Sequence, residues 1–261
     1  MKIGFIGSGN MTSAIVTGML KNDFSPQYIY LSDKNKDLLA TKQKLFKTNI
    51  CTSIEVTKDC AIIFLAIKPQ VLSSVCVEIK KYLNPDSIIV SIVAGVDTNK
   101  LQTLLNTKNI IRTMPNTPAM IGLGATGIFS LIGKNSVVDK IFNSFGISCW
   151  VKKEEQINTI TALSGSGPAY FFLMFEAMIE SAKKMGLDEN LAKKLCLQTA
   201  IGSGKMALNS NDIKALRENV TSQGGTTQAA LDSFFADNFV KIIDNAMISA
   251  KNRANEISNS F

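Results

Sequence analysis

One stretch near the start of the chain restricts the fold more than any other: Lys2-Ile3-Gly4-Phe5-Ile6-Gly7-Ser8-Gly9-Asn10-Met11. An apolar run, Ile3 to Ile6, meets a glycine turn at Gly7 and Gly9. A helix-compatible segment follows from Met11 to Leu20, with Ala14, Ile15 and Leu20 among its apolar positions. Strand, glycine turn and helix in this order are the context a dinucleotide-binding fingerprint requires. Gly7 permits the tight turn. Gly9, lacking a Cβ, lets backbone approach a pyrophosphate seated on the helix N-terminus. Position 12, where the pattern takes a third small residue, is Thr. The plainer reading is an ordinary buried strand and turn.

The rest of the composition narrows the chemistry. A chain of 261 residues can bury a large core and divide into two domains. With 46% hydrophobic and 19% charged residues, it reads as a soluble globular protein of the cytoplasm. Neither a signal peptide nor an apolar run of membrane-spanning length is evident. There is no histidine, so a histidine general base or a Ser-His-Asp triad is excluded. The five cysteines (Cys51, Cys60, Cys76, Cys149, Cys196) are scattered, without C-x-x-C spacing, and read as buried reduced thiols, with no metal site. The net charge of +7 comes from dispersed lysines, a solvated surface rather than a nucleic-acid patch.

Apolar runs at Tyr28–Leu31, Ala61–Ile67, Ile88–Ile92, Asn109–Met114, Thr126–Ser130 and Ser148–Val151 read as strands. Helical patterns at Lys36–Phe46, Val71–Tyr82 and Val137–Phe145 alternate with them. The alternation predicts an α/β fold with a doubly wound parallel sheet. The second strand ends at Ser32-Asp33-Lys34, where such a fold meets the adenosine ribose. An acidic side chain there suits a free 2′-OH, whereas hydroxyl and basic groups suit a 2′-phosphate. Lys34 and Lys36 against Asp33 lean toward NADP and leave NAD open.

After Val151 no strand pattern remains. Helices are expected over Ile157–Ser164, Ala169–Met185, Leu187–Leu208, Asp212–Glu218, Ala229–Phe235 and Asn238–Ser258, with Ser164-Gly165-Ser166-Gly167-Pro168 interrupting or kinking the first. The domains divide as 1–152 and 153–261. Phe171, Phe172, Met174, Phe175, Met178 and Ile179 exceed what one buried stripe needs, which suggests a dimer interface; core packing within one chain is the alternative. Between helices, Val220-Thr221-Ser222-Gln223-Gly224-Gly225-Thr226-Thr227 reads either as an anion-binding nest or as a polar turn with Thr226 as N-cap.

Together these segments resemble the pyrroline-5-carboxylate reductase family. The resemblance is carried by Gly4–Met11, Leu65-Ala66-Ile67-Lys68-Pro69, Val93-Ala94-Gly95-Val96, Arg112–Pro118, Leu163–Tyr170 and the Val220–Thr227 loop leading into Ala230-Leu231. It spans nearly the whole chain. It implies an N-terminal Rossmann-type domain, an all-helical C-terminal dimerisation domain, and an active site at the dimer interface. The implied reaction reduces a small cyclic imino acid, pyrroline-5-carboxylate, to proline with NADP(H) or NAD(H), in a dimer or a decamer built from dimers. By the same resemblance, Gly7, Ser8, Gly9, Asn10 and Met11 hold the pyrophosphate, and Ser32, Lys34 and Ser53 lie at the adenosine side. Ala66, Lys68, Pro69 and Ala94 border the cofactor, and Asn219 approaches it from the helical domain. Ser222, Gly224, Gly225 and Thr226 bind the substrate, Thr227 is the catalytic residue at the imine nitrogen, and Glu154 or Glu155 reaches the substrate.

Thr12, Gln223 and Ser53 depart from the family pattern, where a small residue, Pro and Asn are usual. Thr12 predicts a helix set slightly further from its sheet. Two other readings share the fold. A β-hydroxyacid dehydrogenase would carry a lysine one turn into the helix after a glycine-rich motif, whereas Tyr170, Phe171 and Phe172 follow Gly167 here. A non-enzymatic nucleotide-binding regulator would have no use for the Val220–Thr227 loop.

Overall fold

The computed structural model describes residues 1–259. From the N-terminus, β1 (Ile3–Ile6), α1 (Asn10–Lys21), β2 (Ile29–Ser32), α2 (Lys36–Phe46), β3 (Asn49–Ile50), α3 (Ser53–Asp59), β4 (Ile62–Leu65), α4 (Pro69–Ile79), β5 (Ile88–Ser91), α5 (Thr98–Leu105), β6 (Ile110–Met114), β7 (Gly124–Ser130), α6 (Ser136–Asn143) and β8 (Gly146–Trp150) follow one another. The strands form one eight-stranded sheet in the order β3-β2-β1-β4-β5-β6-β7-β8. After it come α7 (Gln156–Ile160), a π-helical turn (Thr161–Gly165), α8 (Gly167–Lys184), α9 (Glu189–Leu208), α10 (Ile213–Asn219), α11 (Thr226–Ala236) and α12 (Phe239–Asn259). Two compact units result: Met1–Pro168 together with the chain from Ser249 onward, and Ala169–Ile248.

At the centre of the sheet, β1 and β4 are buried on both faces because no polar side chain interrupts them. In β4, Ile62 and Phe64 enter the cluster built with Ile15, Met19, Phe142 and Phe145, while Ile63 and Leu65 enter the one built with Val56, Leu72, Val75 and Leu101. That alternation is the period of two along a strand. Phe5 and Phe64, paired across β1 and β4, stack with ring centroids 4.6 Å apart. Burying one such ring contributes about 2 kcal/mol of hydrophobic free energy.

The parallel-sheet expectation needs a correction. Strands β1 to β6 pair in parallel, but β7 runs antiparallel to β6, and β8 is parallel to β7. A parallel return needs a crossover of about a dozen residues or more. The connection from Pro115 to Leu123 holds only a short 3₁₀ turn, Thr117–Ile121, so the chain reverses. Strand β3 and helices α3 and α5 were not anticipated. Helix α4 begins at Pro69, where proline suits the first helical position. The thiols also differ from expectation. Cys60, Cys76 and Cys196 are buried, but Cys149 is exposed on β8 and Cys51 is half-buried. Burial pushes Cys51 up to about 11 and Cys60 and Cys76 up to about 12, leaving these three thiols protonated and unreactive at neutral pH.

The break at Ser164–Pro168 takes a defined form. Ser166 N–H donates to the Thr161 carbonyl at 2.8 Å, closing a turn one residue wider than an α-helical one. Asn116 Nδ2 donates to the Ser164 carbonyl at 3.0 Å, and Asn116 Oδ1 accepts from Ala125 N–H at 2.8 Å. The asparagine therefore ties the wide turn to the start of β7. Among the described residues, no helix is long and apolar enough to cross a membrane.

Helix α6 and β8 are joined through one carboxylate. Ser148 Oγ and Trp150 Nε1 donate to Asp139 Oδ1 at 2.6 and 2.7 Å. These bonds, the serine's first, hold Asp139 below the ordinary carboxylate range. Its contribution to stability is thus present above the unfolded-state pKa and lost as pH falls through the lower folded value. Trp150 is the chain's single tryptophan. Acid titration of its fluorescence is expected to show a transition below the usual aspartate pKa. Asp139→Asn should remove that transition and lower stability at neutral pH, but not once the pH lies below the depressed value.

Candidate functional site

The first half of the site grows from strand register. Ile6 pairs with Ser32 on one side and Leu65 on the other. The residues after these pairs emerge together at the carboxyl edge of the sheet, between β2 and β4, where open α/β sheets bind ligands. Gly7 turns there with φ +101°, and a Cβ at this position would lie 2.2 Å from the Ala66 carbonyl oxygen. Only glycine fits. Its N–H donates to the Ser32 carbonyl at 2.8 Å, and its own carbonyl accepts from Thr12 Oγ1 at 2.7 Å.

Thr12 is buried with this bond made. The residue that departs from the usual pattern thus fastens helix α1 to the turn. Ser8 is also buried, and its N–H donates to Asp33 Oδ2 at 2.7 Å.

The opening of this cradle fits a dinucleotide pyrophosphate. A Cβ on Gly9 would meet nothing within 4 Å. Helix α1 starts with no side-chain cap and no acidic residue in its first turn. Its leading N–H groups have no intrahelical acceptors, and its dipole favours an anion. Of the residues expected nearby, Lys34 is exposed just beyond β2 and Ser32 is buried. Lys68 and Pro69 open α4, and Ala94 is exposed after β5, so these positions share the same sheet edge. Ser53 opens α3, where its hydroxyl bonds Glu78 Oε1.

The second unit holds the other expected residues. Asn219 ends α10. Thr221 closes that helix, its hydroxyl bonding the Arg217 carbonyl at 2.6 Å. Ser222–Gly225 is a tight turn, with Gly225 N–H donating to the Ser222 carbonyl at 3.0 Å and Gly224 at φ +71°. A glycine at this third position is what such a turn requires. Gly225, not Thr226, takes the N-cap position of α11, without a side-chain cap, and Thr226 and Thr227 are the first two helical residues. Exposed Ser222 and Thr226 and half-buried Thr227 place three hydroxyls around an uncapped helix start. This arrangement can hold a carboxylate by N–H groups, hydroxyls and dipole together.

One charged cluster was missed. Arg112 on β6 is almost wholly buried, and its Nη1 lies 3.1 Å from Glu154 Oε1. Its Nη2 donates to Asn158 Oδ1 at 2.8 Å. Glu154 also accepts from the Thr98 N–H and the Thr98 hydroxyl, at the start of α5. Asn158 Nδ2 in turn donates to Asn255 Oδ1 at 2.7 Å. The Glu154 carboxylate is therefore committed within the first unit, while Glu155 is exposed beside Lys153 at 3.8 Å. The signal was an arginine inside the apolar strand Ile110-Ile111-Arg112-Thr113-Met114: a buried charge must be paired.

Sheet order and glycine cradle define a Rossmann-type dinucleotide-binding protein joined to a helical unit. Over 99% of its length the chain is 38% identical to pyrroline-5-carboxylate reductase of Haemophilus influenzae, covering 98% of that protein. The chain belongs to the pyrroline-5-carboxylate reductase family. Residues 154–257 match the family described as pyrroline-5-carboxylate reductase dimerisation, and residues 2–95 match NADP oxidoreductase, coenzyme F420-dependent. A solved pyrroline-5-carboxylate reductase from Coxiella burnetii superposes with TM-score 0.92 at 35% identity, with 98% of each chain covered. Plasmodium falciparum pyrroline carboxylate reductase, solved with NADP bound, gives 0.87 at 33% identity, covering 99% of this chain and 98% of that one.

Breaking a buried ion pair from one side costs about 3 kcal/mol or more. Arg112→Met is expected to lower unfolding free energy by about that amount. Adding Glu154→Gln should recover part of the loss, as urea unfolding of the single and double variants would show.

Proposed function

We propose that the chain reduces L-1-pyrroline-5-carboxylate to L-proline with NADPH, NADH being the alternative donor. The reading is supported by the family's name, by the NADP described for the P. falciparum protein, and by the two anion cradles in this chain. The observation that carries it is the hydroxyl-rich, uncapped start of α11, which fits a small substrate bearing a carboxylate.

In the first unit, Gly7 and Ser8 shape the turn through their bonds to Ser32 and Asp33, and the backbone N–H groups of Gly9, Asn10 and Met11 take the pyrophosphate. Ser32, Lys34 and Ser53 line the adenosine side, and Ala66, Lys68, Pro69 and Ala94 border the remainder of the cofactor, with Asn219 assigned to it as well. When bound, the nicotinamide supplies the hydride. In the second unit, the Ser222 hydroxyl and the N–H groups of Gly224 and Thr226 hold the substrate carboxylate, with Gly225 closing the turn that presents them. Thr227 Oγ1 meets the ring nitrogen and accepts from its N–H when the imine is protonated. The imine carbon then accepts hydride, and the π pair passes to nitrogen, which already carries its proton. Holding the reacting atoms in this geometry provides much of the rate, and no histidine is required.

In this proposal the functional boundary falls near residue 153, and the chain works as a cytoplasmic dimer or a decamer built from dimers, without nucleic acid or membrane. Phe171, Phe172 and Leu173 of α8 are 65%, 58% and 67% exposed in the single chain, which supports burial against a second copy.

Loss of absorbance on mixing pyrroline-5-carboxylate with NADPH or NADH tests the reading. Turnover is expected with at least one, faster with NADPH; no loss with either would sink it. Thr227→Ala is expected to lower kcat on the order of a hundredfold. Ser222→Ala should raise KM by about tenfold through a lost bond to the carboxylate. Full turnover and unchanged substrate affinity in Thr227→Ala would overturn its role.

A further inference from the structure

At the end of β2 a carboxylate ordinarily accepts from the adenosine ribose, and so disfavours a 2′-phosphate. Asp33 stands at that place, but its oxygens are already engaged with backbone. Oδ2 accepts from the buried Ser8 N–H at 2.7 Å, and Oδ1 accepts from Asn35 N–H at 2.9 Å. The first bond reaches from the β2 end into the glycine turn itself. With the Gly7–Ser32 and Thr12–Gly7 bonds, it fixes each side of the turn that faces the protein, leaving open the side at Gly9.

We infer that Asp33 is a positioning residue for the glycine turn, not a reader of the ribose, and that Lys34 selects the phosphorylated cofactor. Two N–H donors draw on the negative charge of Asp33, while the lysines at 34 and 36 stay exposed on the adenosine side. A ligand phosphate there meets cationic groups and a carboxylate already occupied. The inference deepens the cofactor part of the proposed function and rests on it.

The two roles separate in binding measurements. Dissociation constants of NADPH and NADH would be taken by calorimetric titration for the unaltered protein, Asp33→Ala, Asp33→Asn and Lys34→Ala, beside thermal unfolding of each. If Asp33 braces the turn, Asp33→Ala weakens both cofactors by similar factors of about tenfold, and their ratio stays within about threefold. Asp33→Asn, whose Oδ1 can still accept from Ser8 N–H at the loss of the local Asn35 bond, restores part of the binding to both cofactors alike. Lys34→Ala weakens NADPH by about tenfold and leaves NADH nearly unchanged. Selective loss of NADH in Asp33→Ala, tightened NADPH, or no change in either cofactor would overturn the inference. If Asp33→Ala does not fold, a change of more than about threefold in the NADPH-to-NADH affinity ratio of Asp33→Asn overturns it equally. Absence of binding by the unaltered protein would instead overturn the functional reading, and this inference with it.

Discussion

The turn after β1 passes so close to the end of β4 that the Ala66 carbonyl occupies the space a Cβ on Gly7 would need. Much of the first unit can be understood as serving that approach. Parallel register sets Ile6 beside both Ser32 and Leu65, so three strand ends finish level. Two large apolar clusters, one on each face, hold the strands in that register. A one-residue slip would exchange the two faces of β4 and move Ala66 away from the turn. The cradle is therefore a property of the packed sheet rather than of the glycines alone.

The Arg112–Glu154 pair plays a comparable part at the other end of the sheet. Desolvating two charges offsets most of what their attraction returns, so such a pair is weak evidence of net stability. What it does supply is position. One guanidinium and one carboxylate connect β6, the first turn of α5 and the segment after β8, and Asn158 extends the link to Asn255 near the chain's end. A displaced partner would leave a buried charge unmatched, and that penalty makes the arrangement specific.

How far the sequence reveals all this depends on the range of the interaction. Strand β1, helix α2 and the glycine turn were legible because each is written in adjacent residues. The capping box of α3 was equally local, with Thr52 and Glu55 bonding each other's backbone, yet the segment is only seven residues long and shows no apolar period. The reversal at β7 had a visible cause in the short Pro115–Leu123 connection, but alternating strands and helices favoured a parallel sheet. The Asp33–Ser8 and Asn116–Ser164 bonds could not be read from sequence, because they join residues far apart in the chain. The roles of Ser222 and Thr227 came from family likeness; the structure adds the turn and the uncapped helix in which these residues sit.

Helix α8 buries only Gly167 within the single chain. Its aromatic face is exposed in the single chain; in the proposed dimer a second copy covers it, and the free energy of folding and that of assembly become parts of one equilibrium. By mass action, the apparent stability of a homo-oligomer built on such a helix rises with protein concentration. A melting temperature for this chain therefore has meaning only beside the concentration at which it was taken. In the proposed dimer, a substitution on the aromatic face of α8 can silence the protein by raising the dissociation constant above the working concentration.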